Sequence, residues 1–148
     1  MNELKNRAHA LLNSWTTCDV STIAGDLAPQ FQEIDRPEET AQGLDGLREK
    51  LERFHKVHSN VTLKVRKYIT NENVVCIHWL IMATVRATET EPTPQSILIP
   101  GISWTYFENG KIVKNRIYRD IVGYLMQRGF KWTPIPGKTA ITPEEAHA

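Results

Sequence analysis

The stretch "GKIVKNRIYRD", residues 110 to 120, holds three side chains that together could move a proton. Arg116, Tyr118 and Asp120 stand at every second position, so in a strand they share one face. A carboxylate can act as acid or base, a tyrosine can donate to a carbonyl oxygen, and an arginine can hold the carboxylate ionised. If this face lines a pocket, the pattern predicts acid/base chemistry. If it faces solvent, the three form an exposed ion pair and Asp120 caps the next helix.

Two further residues are candidates for proton transfer. Asp35 follows the short segment "FQEI", and His78 lies inside the apolar run "VVCIHWLIM". The alternative for Asp35 is a loop acid, and a histidine on an apolar face is more often a packed residue with a satisfied hydrogen bond. His55 and His58 stand three apart on a predicted helix, but no third ligand at a suitable spacing follows. No metal site is therefore predicted.

Composition narrows the classes of partner. The 148 residues contain 18 Lys and Arg against 17 Asp and Glu, for a formal charge of +1. This balance provides no extended positive field for nucleic acid, and no apolar run reaches the roughly 20 residues that a membrane helix needs. Cys18 and Cys76 lack CxxC spacing, and the first residues lack the apolar core of a signal peptide. We therefore expect a cytoplasmic protein.

The period of the apolar residues changes along the chain. Leucines and a tryptophan at three- and four-residue spacing predict a helix that ends near Thr17, and "LDGLREKLERFHKVH" predicts another. Between them Asp19 can cap a short helix that carries Val20, Ile23 and Leu27. From residue 61 a period of two predicts an antiparallel meander, which ends in a short helix after Asp120.

The predicted fold is one α+β domain over residues 1–130, followed by a proline-containing tail over residues 131–148. Three N-terminal helices pack on one side of a curved antiparallel sheet, with a bulge or bend at Pro100-Gly101 and a hairpin turn at "ENG". Such a sheet forms a cone, and a cone has an interior where a small molecule can bind. Three tryptophans are expected to pack in the core or at an interface, and some of them could line the cone beside a flat ligand: Trp15, Trp79 and Trp104.

Several short motifs in this order resemble those of the SnoaL-like polyketide cyclases in the nuclear transport factor 2-like superfamily. They are Asp19, the segment "GLDGL" at a helix start, and "GKIV" followed by the acid Asp120, within residues 4 to 130. The resemblance implies a cone-shaped α+β barrel, a homodimer formed through the outer sheet face, and a hydrophobic ligand handled without a cofactor. In these cyclases an aspartate near the end of the last strand is the acid/base of a ring-closing aldol step. Asp120 stands at the matching place.

Two other activities of the superfamily fit the chain less well. For ketosteroid isomerase the base position falls on or next to Asp35, but the two oxyanion donors fall on Leu11 and near Ile102, which cannot donate. Epoxide hydrolysis could use Asp120, Arg116 and Asp35, yet the arginine-x-aspartate spacing it requires is missing.

Two classes of function therefore stay open. In the first, the protein is an acid/base enzyme acting on a small hydrophobic carbonyl compound, with Asp120 transferring the proton and Tyr118, His78 or Arg116 polarising the oxygen. In the second, it is a non-catalytic ligand-binding or protein-interaction module of the same fold.

Overall fold

The computed structural model describes residues 2–35 and 39–131 of the chain. Apart from Lys131, the predicted tail lies outside the described residues. Within the two described ranges, no helix is both long and apolar enough to cross a membrane. The same ranges contain no group of three His, Cys, Asp or Glu side chains arranged to hold a metal ion.

The helices form where the sequence shows an apolar stripe. α1 (Asn2–Thr17) and α2 (Gly43–Val57) each bury residues spaced by three or four positions. α3 (Ile121–Gln127) begins after Asp120, whose carboxylate accepts a hydrogen bond from the Gly123 amide at 2.8 Å. This N-cap confirms the short helix that was predicted after the last strand.

Six strands form one sheet. They are β1 (Leu27–Ile34), β2 (Thr40–Gln42), β3 (His58–Asn71), β4 (Val74–Val85), β5 (Gln95–Glu108) and β6 (Lys111–Arg119). Their order across the sheet is β2-β1-β6-β5-β4-β3. β3 to β6 make the predicted antiparallel meander, whereas β1 pairs with β6 in parallel. Asn109 and Gly110 have φ values of 50° and 76°, as a two-residue type I′ turn requires, so the predicted hairpin is confirmed.

The core lies between the inner face of the sheet and the two long helices. Along β4 the inward side chains are buried at every second position, from Val75 through Ile77, Trp79 and Ile81 to Ala83. They pack against the buried faces of α1 and α2. The curved sheet wrapped around helices confirms the predicted α+β cone.

Three local predictions were wrong. The second predicted helix is a single 3₁₀ turn (Ala24–Asp26), because Leu27 already belongs to β1. The strand β2 forms at the end of the polar segment "RPEETAQG", where no strand was predicted. Pro100 makes no bulge and stays in register opposite Leu80. The Pro100 carbonyl accepts a hydrogen bond from the Asp120 amide, just past the end of β6. The Pro100 nitrogen therefore faces a point where the pairing with β6 has ended, so its missing N–H leaves no strand hydrogen bond unmade.

Gly101 is required by the indole of Trp79. A Cβ at position 101 would lie 2.3 Å from the Trp79 ring, closer than any real contact. The ring cannot turn aside freely, because its Nε1 donates to the buried Ser103 hydroxyl at 2.8 Å. A glycine on β5 therefore fixes the position of a tryptophan on β4.

We expect Gly101→Ala to lower the free energy of unfolding by about 1–3 kcal/mol, since the added methyl overpacks a rigid contact. Gly25→Ala is the matched control, because a Cβ there meets nothing within 4 Å. Urea denaturation of both variants measures the difference. Equal stability of the two variants would show that the Trp79 ring yields easily.

Candidate functional site

An internal cavity of about 10 Å³ lies between α1, α2 and the inner face of the sheet. Its volume is about that of one water. Most of its wall is apolar, and it includes two polar residues, Asp35 and Arg119. The apolar members are Leu12, Trp15, Phe54, Trp79, Ile81, Ile99 and Ile117. Of the residues predicted from sequence, Asp35, Trp15 and Trp79 therefore face the interior.

Asp35 and Arg119 form a two-point ion pair at this cavity. Arg119 Nε donates to Asp35 Oδ1 at 3.2 Å, and Arg119 Nη2 lies 2.6 Å from Asp35 Oδ2. The Asp35 side chain is 2% exposed and that of Arg119 is 21% exposed. The planar guanidinium thus holds the carboxylate in one orientation.

A second ion pair stands next to the first. Lys50 on α2 places its Nζ 3.7 Å from Asp35 Oδ2 and 3.4 Å from Glu33 Oε2 on β1. The Glu33 side chain is fully buried and that of Lys50 is 9% exposed. The two carboxylates and two cations cancel in charge, and this charge-balanced cluster of Glu33, Asp35, Lys50 and Arg119 avoids the large cost of an uncompensated buried ion.

Hydrogen bonds from β5 and β6 hold Glu33 in place. The Thr105 hydroxyl donates to Asn115 Oδ1 at 3.0 Å, and Asn115 Nδ2 donates to Glu33 Oε1 at 3.0 Å. Both Thr105 and Asn115 are buried. The other Glu33 oxygen, like Asp35 Oδ2 and Lys50 Nζ, is in ion-pair range but has no well-directed hydrogen bond within the described residues. Of these three residues, only Asp35 lines the cavity.

The predicted catalytic face of β6 points away from the cavity. Arg116, Tyr118 and Asp120 are exposed on the outer face, where Tyr118 stands across from Ile102. Of the two directions that the sequence left open, the structure therefore has the one in which this face lies outside the cavity. A register shift between Tyr106 and Phe107 lets Ile112 point inward with Asn115 and Ile117, which breaks the simple alternation.

His78 and Trp104 also lie on the outer face. His78 is exposed opposite Ile102, and Trp104 is 41% exposed. The structure does bring His78, Tyr118 and Asp120 together, at a shallow, open depression of about 330 Å³. These three side chains therefore share a surface, but none of them lines the cavity beside Asp35.

Sequence reasoning missed Arg119, Lys50 and Glu33, although each carried a signal. Arg119 has the same parity as the apolar Ile117. Lys50 interrupts the apolar stripe of α2 three residues after Leu47. Glu33 stands two residues after Phe31 on what became the buried face of β1. A charged residue at a position where the pattern calls for an apolar one was the clue in each case.

His58 ties α3 to the rest of the fold. Its Nδ1 lies 2.9 Å from the Phe54 carbonyl and must carry the proton, so its Nε2 accepts from the Tyr124 hydroxyl at 2.8 Å. Burial is the main cause that lowers the pKa of His58 below 6.5, and the charges of Arg128, Arg119 and His55 lower it further. The hydrogen bond to the Phe54 carbonyl acts in the opposite direction.

The remaining histidine and cysteine candidates have structural surroundings. The other histidine of the pair on α2, His55, has its Nε2 2.6 Å from the Trp15 carbonyl, so it donates to backbone. Cys76 is buried on the outer face opposite Trp104, and burial raises the pKa of its thiol, which keeps it a poor nucleophile.

Comparison with protein families supports the family resemblance that the sequence motifs indicated. A family model for SnoaL-like polyketide cyclases matches residues 5–128. The chain belongs to the SnoaL-like polyketide cyclase family. No curated protein matches it.

Solved structures share the fold of this SnoaL-like chain at low sequence identity. A protein with a ketosteroid isomerase-like fold from Catenulispora acidiphila, in complex with trimethylamine, is 19% identical with a TM-score of 0.71. That match covers 86% of this chain and 97% of the other. AclR from Streptomyces galilaeus is also 19% identical, with a TM-score of 0.73 and coverage of 93% and 91%. TsrD from Streptomyces laurentii is 13% identical, with a TM-score of 0.73 and coverage of 86% and 96%.

The buried neutral His58 predicts a loss of stability in acid. Because its folded pKa is lowered, the unfolded chain binds the proton more readily, and stability falls as pH drops below the unfolded value of about 6.5. The stability advantage of the wild type over His58→Gln should therefore shrink between about pH 7.5 and pH 5. Urea denaturation across this range measures it. An advantage that stays constant or grows in acid contradicts the assignment of a buried neutral imidazole.

Proposed function

We propose that this SnoaL-like protein is an acid/base enzyme that acts, without a cofactor, on a small hydrophobic carbonyl compound inside the cone. The observation that carries the proposal is the position of Asp35, a carboxylate at the wall of an apolar cavity. This assignment moves the proton-transfer role from Asp120, which caps α3, to Asp35. Trp15 and Trp79 form the apolar walls beside it.

The proposed step is proton abstraction next to a carbonyl group, followed by its return. An Asp35 oxygen forms an O–H bond to the proton as the C–H bond breaks, and the electron pair passes to the carbonyl oxygen as an enolate. Each carboxylate oxygen has two lone pairs, so the ion pair with Arg119 leaves one open. The Arg119 charge beside the cavity stabilises the enolate, and return of the proton to carbon completes an isomerisation or allows ring closure.

A non-catalytic binding module is the second candidate. The cavity holds about one water, and both oxygens of Asp35 already face Arg119. Both observations suit a protein that holds a small ligand without transforming it. Epoxide hydrolysis through Asp35, Arg116 and Asp120 has less support, because the first lies inside the cone and the other two lie outside.

We further propose a homodimer through the outer face of the sheet. That face exposes four large apolar or aromatic side chains in neighbouring strands: Leu98, Ile102, Trp104 and Tyr118. Ile102 lies directly between His78 and Tyr118 in the register of the sheet. An apolar patch rimmed by polar side chains is typical of a surface that another protein covers, and a second copy presents the same patch.

The catalytic proposal predicts different results for two aspartates. Asp35→Asn should slow deuterium incorporation next to the carbonyl of β-tetralone, a neutral bicyclic ketone, by about 10²–10⁴-fold, because an amide cannot accept the proton. Asp45→Asn, the matched control on α2, should retain the wild-type rate, because the Asp45 side chain is 89% exposed and lines neither pocket. Proton NMR in D₂O measures both rates, and circular dichroism shows that both variants fold. A wild-type exchange rate in Asp35→Asn would falsify the assignment.

The dimer proposal predicts that Trp104→Glu yields a monomer, since it places a charge within the apolar patch. Asn13→Glu adds the same charge at an exposed position of α1 and should leave the assembly unchanged. Sedimentation equilibrium measures the molar mass of each. A monomeric wild type, or a Trp104→Glu variant that remains dimeric, contradicts the proposed interface.

A further inference from the structure

A second pocket lies directly beneath α3. It has a volume of about 190 Å³ and is lined by residues of β5, β6 and α3: Ile99, Arg119, Asp120, Ile121, Tyr124 and Leu125. Two of these, Ile99 and Arg119, also line the internal cavity. The two spaces therefore share part of their walls.

α3 is attached to the domain by polar contacts more than by its own burial. None of its seven residues is buried. Gln127 closes a pair of hydrogen bonds with the backbone of Leu98, accepting from its amide at 2.7 Å and donating to its carbonyl at 2.8 Å. Tyr124 donates to His58 at 2.8 Å. An element with few buried apolar contacts opens at a lower free energy than the core.

The internal cavity is too small to admit a carbonyl compound by itself. It has room for about one water, and its aromatic wall is held in place by the contact of Trp79 with Gly101. The space beneath α3 is the adjoining volume in the described residues, and it is closed on one side by this weakly anchored helix. A ligand that reaches Asp35 must occupy part of that space.

We propose that the pocket beneath α3 is the second compartment of the ligand site and that α3 lifts to admit the ligand. The inference rests on the proposed function, because it assumes that Asp35 meets a ligand. Arg119 stands between the compartments. The carbonyl oxygen of the ligand lies at Arg119, and its apolar body extends against Ile99, Ile121 and Leu125.

These walls select a particular class of ligand. The compartment is smaller than the roughly 300–1,000 Å³ of drug-sized sites, so a ketone of one or two rings fits better than a polycyclic one. The charge-balanced cluster leaves no surplus cation for a carboxylate. The ligand is therefore neutral, with one polar oxygen on a compact apolar body.

The experiment fills the pocket beneath α3 and measures binding of β-tetralone through quenching of tryptophan emission. Leu125→Trp places a large side chain into the compartment and should weaken binding at least about tenfold, or 1.4 kcal/mol. Val122→Trp adds the same indole on α3 at an exposed position that does not line the pocket, and should bind as the wild type does. Leu125→Ala, which enlarges the compartment, should bind β-tetralone at least as well as the wild type.

The outcomes separate this inference from the proposed function. If the wild type binds β-tetralone and Leu125→Trp binds it equally well, the second compartment is wrong and the role of Asp35 is unaffected. If the wild type binds neither β-tetralone nor cyclohexanone, the proposed ligand class fails, and the inference fails with it. Thermal unfolding of each variant shows that a loss of binding does not come from a loss of fold.

Motion of α3 has its own test, which needs no ligand to detect opening. Gln127→Ala removes both hydrogen bonds to Leu98, so amide hydrogen exchange in α3 should become faster while exchange in β4 stays the same. The association rate of β-tetralone, followed by stopped flow, should rise with it. Faster exchange in α3 with an unchanged association rate overturns the role of α3 as the cover of the site.

Discussion

Four ionisable side chains meet where β1, α2 and β6 approach one another, and their charges cancel. Glu33 and Asp35 come from β1 and its end, Lys50 from α2 and Arg119 from the end of β6. Buried ions are tolerated only when they are paired, so none of these residues can be lost without leaving an uncompensated charge. The parallel pairing of β1 with β6 places the acids next to Arg119, and docking of α2 on β1 supplies Lys50.

The inside of the cone and the outer face of the sheet differ in their chemistry. Inside the cone, the four charged side chains hold one another in place, and two of them, Asp35 and Arg119, line an apolar cavity. Outside, Tyr118, Trp104 and their neighbours form an apolar face with charged edges, which suits a second protein chain. α3 joins the two surfaces, since Asp120 caps it from the outer face and Tyr124 contacts His58.

The sequence predicted most of the helices and strands, but it did not show which side chains point into the cone. Apolar periodicity and the Asn-Gly turn were enough for the helices, the meander and the cone, because burial on one face leaves a regular trace. The choice between Asp35 and Asp120 could not be made that way, since both are acids at a strand end. It depended on a register shift near Phe107 and on the partner strand of β1, which are long-range features. Arg119 was missed for a related reason: it shares the face of Ile117, but its place at the cavity depends on an ion pair with Asp35, which is distant in sequence.

A crystal structure of the protein with bound β-tetralone tests directly whether Asp35 meets the ligand. We expect the ketone inside the cone, between Trp15 and Trp79 and extending beneath α3, with the carbon next to its carbonyl about 3–3.5 Å from an Asp35 oxygen. The contradictory result is a ketone bound at the outer depression beside Tyr118 and Asp120 with the interior closed. That result would return the chemistry to the outer face of the sheet and leave Asp35 as a structural ion-pair partner.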